Sequence, residues 1–205
     1  FLNDYQSNSE NFLYNLIAII LVLFPGFLII NQPDLGTGSM LIVLGFSLIF
    51  LNGLSWNIVL SVTLVSLISL PVIWQNLLEY QKYRILVFLN PELDTLGKGY
   101  QIMQSKIAIG SGGIFGKGFL TGSQSRLDFL PEKHTDFVYT LISEEMGFVG
   151  SISVLILYLA INTSLMREFL KEENLTNKII IFGVSFLIFL YVVFNVGMVT
   201  GLIPV

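Results

Sequence analysis

Five stretches of the sequence run nearly free of charge for 17 or more residues: Asn11 to Ile30, Leu35 to Leu51, Trp56 to Leu78, Phe137 to Leu165 and Ile179 to Leu202. Only the fourth carries acids, Glu144 and Glu145. At about 1.5 Å of rise per residue, some 20 helical residues cross the roughly 30 Å of hydrocarbon in a bilayer. A backbone in lipid must also satisfy its own hydrogen bonds, which leaves helices and closed barrels, and the short alternating segments of a barrel do not occur here. The sequence therefore predicts an all-α, polytopic membrane protein with five transmembrane helices, forming one integral-membrane region over residues 1–205.

Composition supports this. Hydrophobic residues make up 54% of the chain and charged residues 12%, about half the charged share of a soluble domain. A net charge of −4 provides no basic field for nucleic acid. With no Cys and a single His, His134, there is neither a disulfide framework nor a zinc site. No nucleotide, haem or zinc is expected. The chain starts at Phe1, with no basic segment or cleavage site before the first apolar run, and reads as a fragment open at both ends.

Short basic connections mark the cytoplasmic side of a membrane protein. The connection Arg167 to Lys178, with Arg167, Lys171 and Lys178, is placed there as a solvated loop. Counting back through the spans puts Asn31 to Asp34 and the long stretch 79–135 outside the cytoplasm. That stretch holds seven of the ten basic residues (Lys82, Arg84, Lys98, Lys106, Lys117, Arg126, Lys133). Its 57 residues sit near the length of about 60 at which loop charge stops steering insertion. A connection this long is usually functional, and this one is apolar enough to fold, so a large, partly helical extracytoplasmic loop is expected.

Within that loop, five glycines fall between Gly110 and Gly118, beside Lys106 and Lys117. Glycine backbone can approach an anion closely, so one reading is a pyrophosphate cradle; the other is a tight turn between two helices. A nucleotide-binding P-loop is disfavoured, because the required Gly and Ser/Thr positions hold Ser111 and Gly118.

Charge is densest from Arg126 to Asp136, just before the fourth span. Asp136 is either a helix N-cap or a functional carboxylate. At 100° per residue, Asp136, Thr140, Ser143, Gly147, Gly150 and Ser151 share one side of the span, with Glu144 at its margin. Such a stripe faces a packed neighbour or a wet cavity. Glu144 and Glu145 lie about 12 to 14 Å further along the helix than Asp136. They point about 100° apart, so at most one is expected on the stripe, either paired for packing or lining a cavity beneath Asp136. Asp34, after Pro33, reads first as a cap of the second span. His134 is off the face of Asp136, in a surface or hydrogen-bonded role.

Seven blocks in order resemble the SEDS family of shape, elongation, division and sporulation proteins, which includes RodA, FtsW and SpoVE, and within it the RodA branch. They are Gln32 to Thr37, Gly53 to Trp56, Gly99 to Gly113, Gly116 to Gly118, Phe129 to Phe137, Glu144 to Gly147 and Asn195 to Pro204. The resemblance covers essentially the whole chain. It implies a fold of ten helices, of which these spans are the fifth to ninth, with the parts before and after missing from this sequence.

The implied activity is that of a peptidoglycan glycosyltransferase polymerising lipid II into β-1,4 glycan strands during cell elongation, in the bacterial inner membrane, with the loop 79–135 extracytoplasmic. By the same resemblance Asp136 is the essential residue, a general base. Lys106, Lys117 and Arg126 are candidate pyrophosphate contacts, Glu132 orients Lys133 or a cation, Thr135 joins the substrate-binding set, and Asp34, Glu144 and Glu145 support the cavity. A divalent cation, Mg or Mn, is implied without a ligand set. Expected partners are lipid II, the nascent glycan, a class B penicillin-binding protein (a transpeptidase) and the MreC/MreD elongation machinery. A lipid-linked precursor flippase and a non-catalytic scaffold are the alternatives.

Overall fold

The computed structural model describes residues 12–32, 34–51, 53, 56–94, 97–122 and 136–203. Its helices are α1 (Phe12–Asn31), α2 (Leu35–Leu51), α3 (Trp56–Asn76), α4 (Glu79–Leu89), a 3-10 turn (Pro91–Leu93), α5 (Lys98–Ser111), α6 (Val138–Lys171) and α7 (Leu175–Thr200). Among the described residues there is no strand. Among the described residues three helical stretches, Leu13–Asn31, Val138–Lys171 and Leu175–Thr200, are long and apolar enough to cross a membrane, and Gly36–Leu51 is a shorter apolar helix. The chain is thus an all-α polytopic membrane protein.

The last two helices overrun the apolar stretches that announce them. Hydropathy marks only what lies in hydrocarbon, whereas α6 continues through Arg167 and Glu168 to Lys171, where Lys171 Nζ meets Glu168 Oε1 at 2.9 Å. The solvated loop expected over 167–178 shrinks to residues 172–174. Asn174 closes it as the cap of α7, its Oδ1 accepting from Thr176 N–H at 2.9 Å.

The chain divides into two compact units. The first comprises Phe1–Asn76 and Ile161–Leu190. Here α1 and α2 form a hairpin whose close approach depends on small residues, as is usual where no hydrophobic force drives helices together. A Cβ at Gly45 would stand 2.5 Å from both Val22 methyls, and one at Gly26 would stand 2.6 Å from Ile42 Cγ1. Ala18 and Ile49 are buried at this seam, with Tyr14, Val22 and Val59 against them. Asp34 Oδ1 accepts from Thr37 N–H at 3.0 Å, which is the capping geometry. Later in this unit, Ser185 Oγ donates to Asn162 Oδ1 at 2.9 Å, and Phe182, Phe186 and Phe189 stack along α7.

The second unit comprises Leu77–Ala160 and Tyr191–Val205. Asp94 starts α5, its Oδ1 accepting from Gly97 N–H at 2.9 Å. Ser105 Oγ stands 2.7 Å from Val199 O and 2.8 Å from Ile102 O, tying α5 to α7. Phe137 and Val199 are fully buried, with Ile109 and Tyr139 packed on them. This cluster fixes the entry of α6, and with it Asp136.

A broken span and the candidate active site

Helix α6 does not run unbroken. Gly147 adopts φ 66° and ψ −159°, a region that essentially only glycine occupies. In an unbroken helix the N–H groups of Phe148 and Val149 would bond to the carbonyls of Glu144 and Glu145. The break orphans two donors and two acceptors inside an apolar helix, where unsatisfied backbone is costly.

All four are satisfied by the glycine-rich segment that follows α5. Phe148 N–H donates to Gly113 O at 2.9 Å and Val149 N–H to Ile114 O at 3.1 Å. In return Glu144 O accepts from Lys117 N–H at 3.1 Å and Glu145 O from Gly118 N–H at 3.0 Å. The approach is so close that a Cβ at Gly112 or Gly116 would collide with the carbonyls of Ser143 or Glu145, and one at Gly147 with the Gly116 amide. Of the two readings of this segment, the turn is what forms. The amides of Lys117 and Gly118 serve helix carbonyls, so they make no anion cradle.

The side chains follow the same logic. Glu144 is 1% exposed and its Oε1 lies 2.8 Å from Lys117 Nζ, so one of the two intramembrane acids takes the paired, packing role. Glu145 is buried as well, at 7%. The two acids point about 100° apart, and both are buried. Ser151 Oγ lies 2.8 Å from both Ser143 Oγ and Gly147 O, bridging the break. Thr140, Ser143, Gly147, Gly150 and Ser151 are all buried, so the small polar stripe packs inward.

Lys117→Met removes the lysine from buried Glu144, and a loss of about 1.5 to 3 kcal/mol is expected for a hydrogen bond between charged groups. Pairing it with Glu144→Gln should restore most of the thermal stability. Equal melting temperatures for the single and double variants would mean that the pair carries no coupling.

Asp136 stands half-buried immediately before α6. Its carbonyl accepts from Asn195 Nδ2 at 3.1 Å, while its carboxylate has no hydrogen-bond or ion-pair partner among the described residues. One turn on, Thr140 Oγ1 is buried with no hydrogen-bond partner among the described residues. The carbonyl four residues back, to which a helical Thr often donates, is the one Asn195 occupies. An isolated Asn in an apolar helix signals an interior partner, and Asn195 carries that signal in the sequence. Asn195→Ala should lower stability by about 0.6 to 2 kcal/mol, the usual range for an interhelical hydrogen bond in a membrane. A melting temperature equal to the parent's would count against this contact.

The remaining sequence-derived residues fall into three groups. Lys117, Glu144 and Glu145 come together at the break. Lys106 is exposed on α5, its Nζ 2.6 Å from where a Cβ of Gly201 would stand, at the C-terminal end of α7. Asp34 belongs to the first unit as a helix cap. Arg126, Glu132, Lys133, His134 and Thr135 lie outside the described residues. Among the described residues no group of three or more His, Asp or Glu side chains is placed to hold a metal ion.

A membrane-spanning, all-α chain with a broken span and a half-buried carboxylate at the start of that span is the class these features define. The family model for cell cycle proteins of the FtsW/RodA/SpoVE type matches residues 1–205. The chain is 42% identical over 190 residues to the peptidoglycan glycosyltransferase MrdB of Escherichia coli (strain K12), covering 92% of this chain and 51% of that protein. It is 36% identical over 208 residues to the stage V sporulation protein E of Bacillus subtilis (strain 168), covering 100% and 56%. One chain of a solved structure, "Structural coordination of polymerization and crosslinking by a peptidoglycan synthase complex", superposes with a TM-score of 0.77 at 28% identity, over 95% of this chain and 54% of that one. The chain belongs to the FtsW/RodA/SpoVE family. It spans about half the length of the curated relatives just named.

Proposed function

We propose that this chain carries the reaction centre of a peptidoglycan glycosyltransferase that polymerises lipid II into β-1,4 glycan strands during cell elongation. The observation that carries the proposal is the half-buried carboxylate of Asp136 at the mouth of a span, which has no partner among the described residues. The names of the relatives support it. A lipid-linked donor keeps its tail in the membrane and its sugar outside, so its reaction must occur at that boundary. Asp136 takes the proton of the acceptor 4-hydroxyl as that oxygen attacks the donor anomeric carbon. The carbon–oxygen bond to pyrophosphate breaks with inversion, and the electron pair leaves on the phosphate. A single general base is enough because no covalent sugar intermediate forms, and the leaving group needs stabilisation by cations more than protonation by a second carboxyl.

In this proposal Lys106 and Arg126 contact pyrophosphate, Thr135 and a Lys133 oriented by Glu132 complete the substrate-binding set, and Lys117 acts through Glu144 to hold the broken span. Asp34 and Glu145 are supports. The site faces out of the cytoplasm from the bacterial inner membrane, and the partners are a class B penicillin-binding protein and MreC/MreD. A divalent cation, Mg or Mn, stays within the proposal as an auxiliary to which no step is assigned.

The test is polymer formation from purified lipid II by the complete protein, with and without its transpeptidase, in Mg, Mn or chelator. Long glycan products are expected. Lipid II crossing vesicle membranes without polymer would favour the flippase, and transpeptidase binding with neither activity would leave a scaffold. Equal yields in chelator and metal would remove the ion.

A further inference from the structure

We propose that Gly201 is a positioning residue, whose missing side chain lets the ammonium of Lys106 rest on the closed end of α7 and there meet the pyrophosphate of a lipid-linked donor. The inference rests on the reading of Lys106 as a pyrophosphate contact and adds what sets its place. Gly201 serves the fold first. Its φ is 72°, its N–H donates to Met198 O at 3.1 Å, and the Leu202 N–H donates to Gly197 O at 2.7 Å. These two bonds make a Schellman motif, which takes glycine or, less often, asparagine in the left-handed position. The motif does not require empty space around that residue. Yet a Cβ at Gly201 would stand 2.6 Å from both Cε and Nζ of Lys106 and 3.2 Å from Ile102 Cγ2. The lysine therefore lies across the glycine.

The end of α7 is satisfied without this lysine. Val196 O accepts from Thr200 Oγ1 at 2.7 Å, Gly197 O from the N–H groups of Leu202 and Ile203, Met198 O from Gly201 N–H, and Val199 O from Ser105 Oγ at 2.7 Å. Lys106 is exposed, and its ammonium has no hydrogen-bond or ion-pair partner among the described residues. Lys117, by contrast, is committed to Glu144. Val199 ties Lys106 to the neighbourhood of Asp136. It packs on Phe137, the residue after Asp136, and its carbonyl holds Ser105, the residue before Lys106. Asn195, which holds the Asp136 carbonyl, stands earlier on the same helix. An inverting displacement needs its base and its leaving-group cation on opposite sides of the anomeric carbon. The last turns of α7 set both, the base through Asn195 and the cation through Gly201.

Gly201→Asn keeps a residue that the motif accepts and puts a Cβ where the flexible end of Lys106 now lies, so the ammonium moves while the helix end stays closed. Lys106→Ala removes the ammonium from an exposed helix position. The complete proteins, parent, both single variants and the double variant, are compared for binding of purified lipid II, with melting temperatures alongside and polymer formation read separately. Each single variant should melt like the parent and bind lipid II about tenfold more weakly, the loss of one hydrogen bond to a charged group. The double variant should bind no worse than Lys106→Ala, because the asparagine then has no lysine to displace. Losses that multiply in the double variant would overturn the role of Gly201, as would parental affinity in Gly201→Asn. Parental affinity in Lys106→Ala overturns it however the Gly201 variant folds. The expected affinities with no polymer from the parent would remove the glycosyl-transfer reading and keep Gly201 as the seat of the lysine.

Discussion

Asp136→Asn in the complete protein is expected to abolish glycan polymerisation while leaving the protein inserted and folded. The substitution keeps the shape of the side chain and leaves the main-chain carbonyl to accept from Asn195 Nδ2. What it removes is the capacity to take a proton. General-base catalysis contributes about 10²- to 10⁴-fold, so a residual rate at least a hundred times lower is the threshold that the assignment has to meet. The measurement is polymer length and yield from purified lipid II, with the melting temperature recorded alongside. A variant that melts normally and still makes polymer at the parental rate sinks the role proposed for this carboxylate. A variant that fails to fold would instead assign the carboxylate to the structure.

The second large effect is structural. Gly147→Ala should cost several kcal/mol, on the order of 3 to 5, because two penalties coincide: a side chain in a φ/ψ region reserved for glycine, and overpacking against backbone. The methyl group would meet the Gly116 amide and the Ile114 carbonyl, neither of which can rotate away as a side-chain end would. Relief requires the segment to undock, which strands Glu144 O, Glu145 O and the amides of Phe148 and Val149 together. The expected result is a large fall in melting temperature and loss of folded protein from the membrane. Near-parental stability would mean that the break is not required by the fold.

Those two residues illustrate what could be read from the sequence and what could not. The all-α, membrane-spanning class was legible because an uncharged run of sufficient length has few alternatives in lipid, and α2 begins and ends where its apolar run does. The capping role of Asp34 was legible because Pro33 ends one helix and an acid follows directly. The polar stripe of α6 was legible from its period, and its burial confirms that it faces inward. The break at Gly147 was not. Glycine is common in membrane helices, and nothing local distinguishes one that continues the helix from one that interrupts it. The pairing that makes the interruption tolerable links residues 113–118 to residues 144–149, a non-local match of backbone groups that leaves little trace in side-chain type. For the same reason the five glycines suggested a ligand when their neighbour is another part of the chain. Glu144 was recognised as needing a partner, but only the docked segment brings Lys117 to it.

The order in which the chain is made gives the break a further meaning. Residues 113–118 leave the ribosome before residues 144–149, so the strip of backbone that completes α6 already exists when the incomplete turn emerges. Reversing the two segments would send a helix with four unmatched polar groups into the bilayer ahead of its complement. The defect and its remedy are ordered so that the remedy is never late.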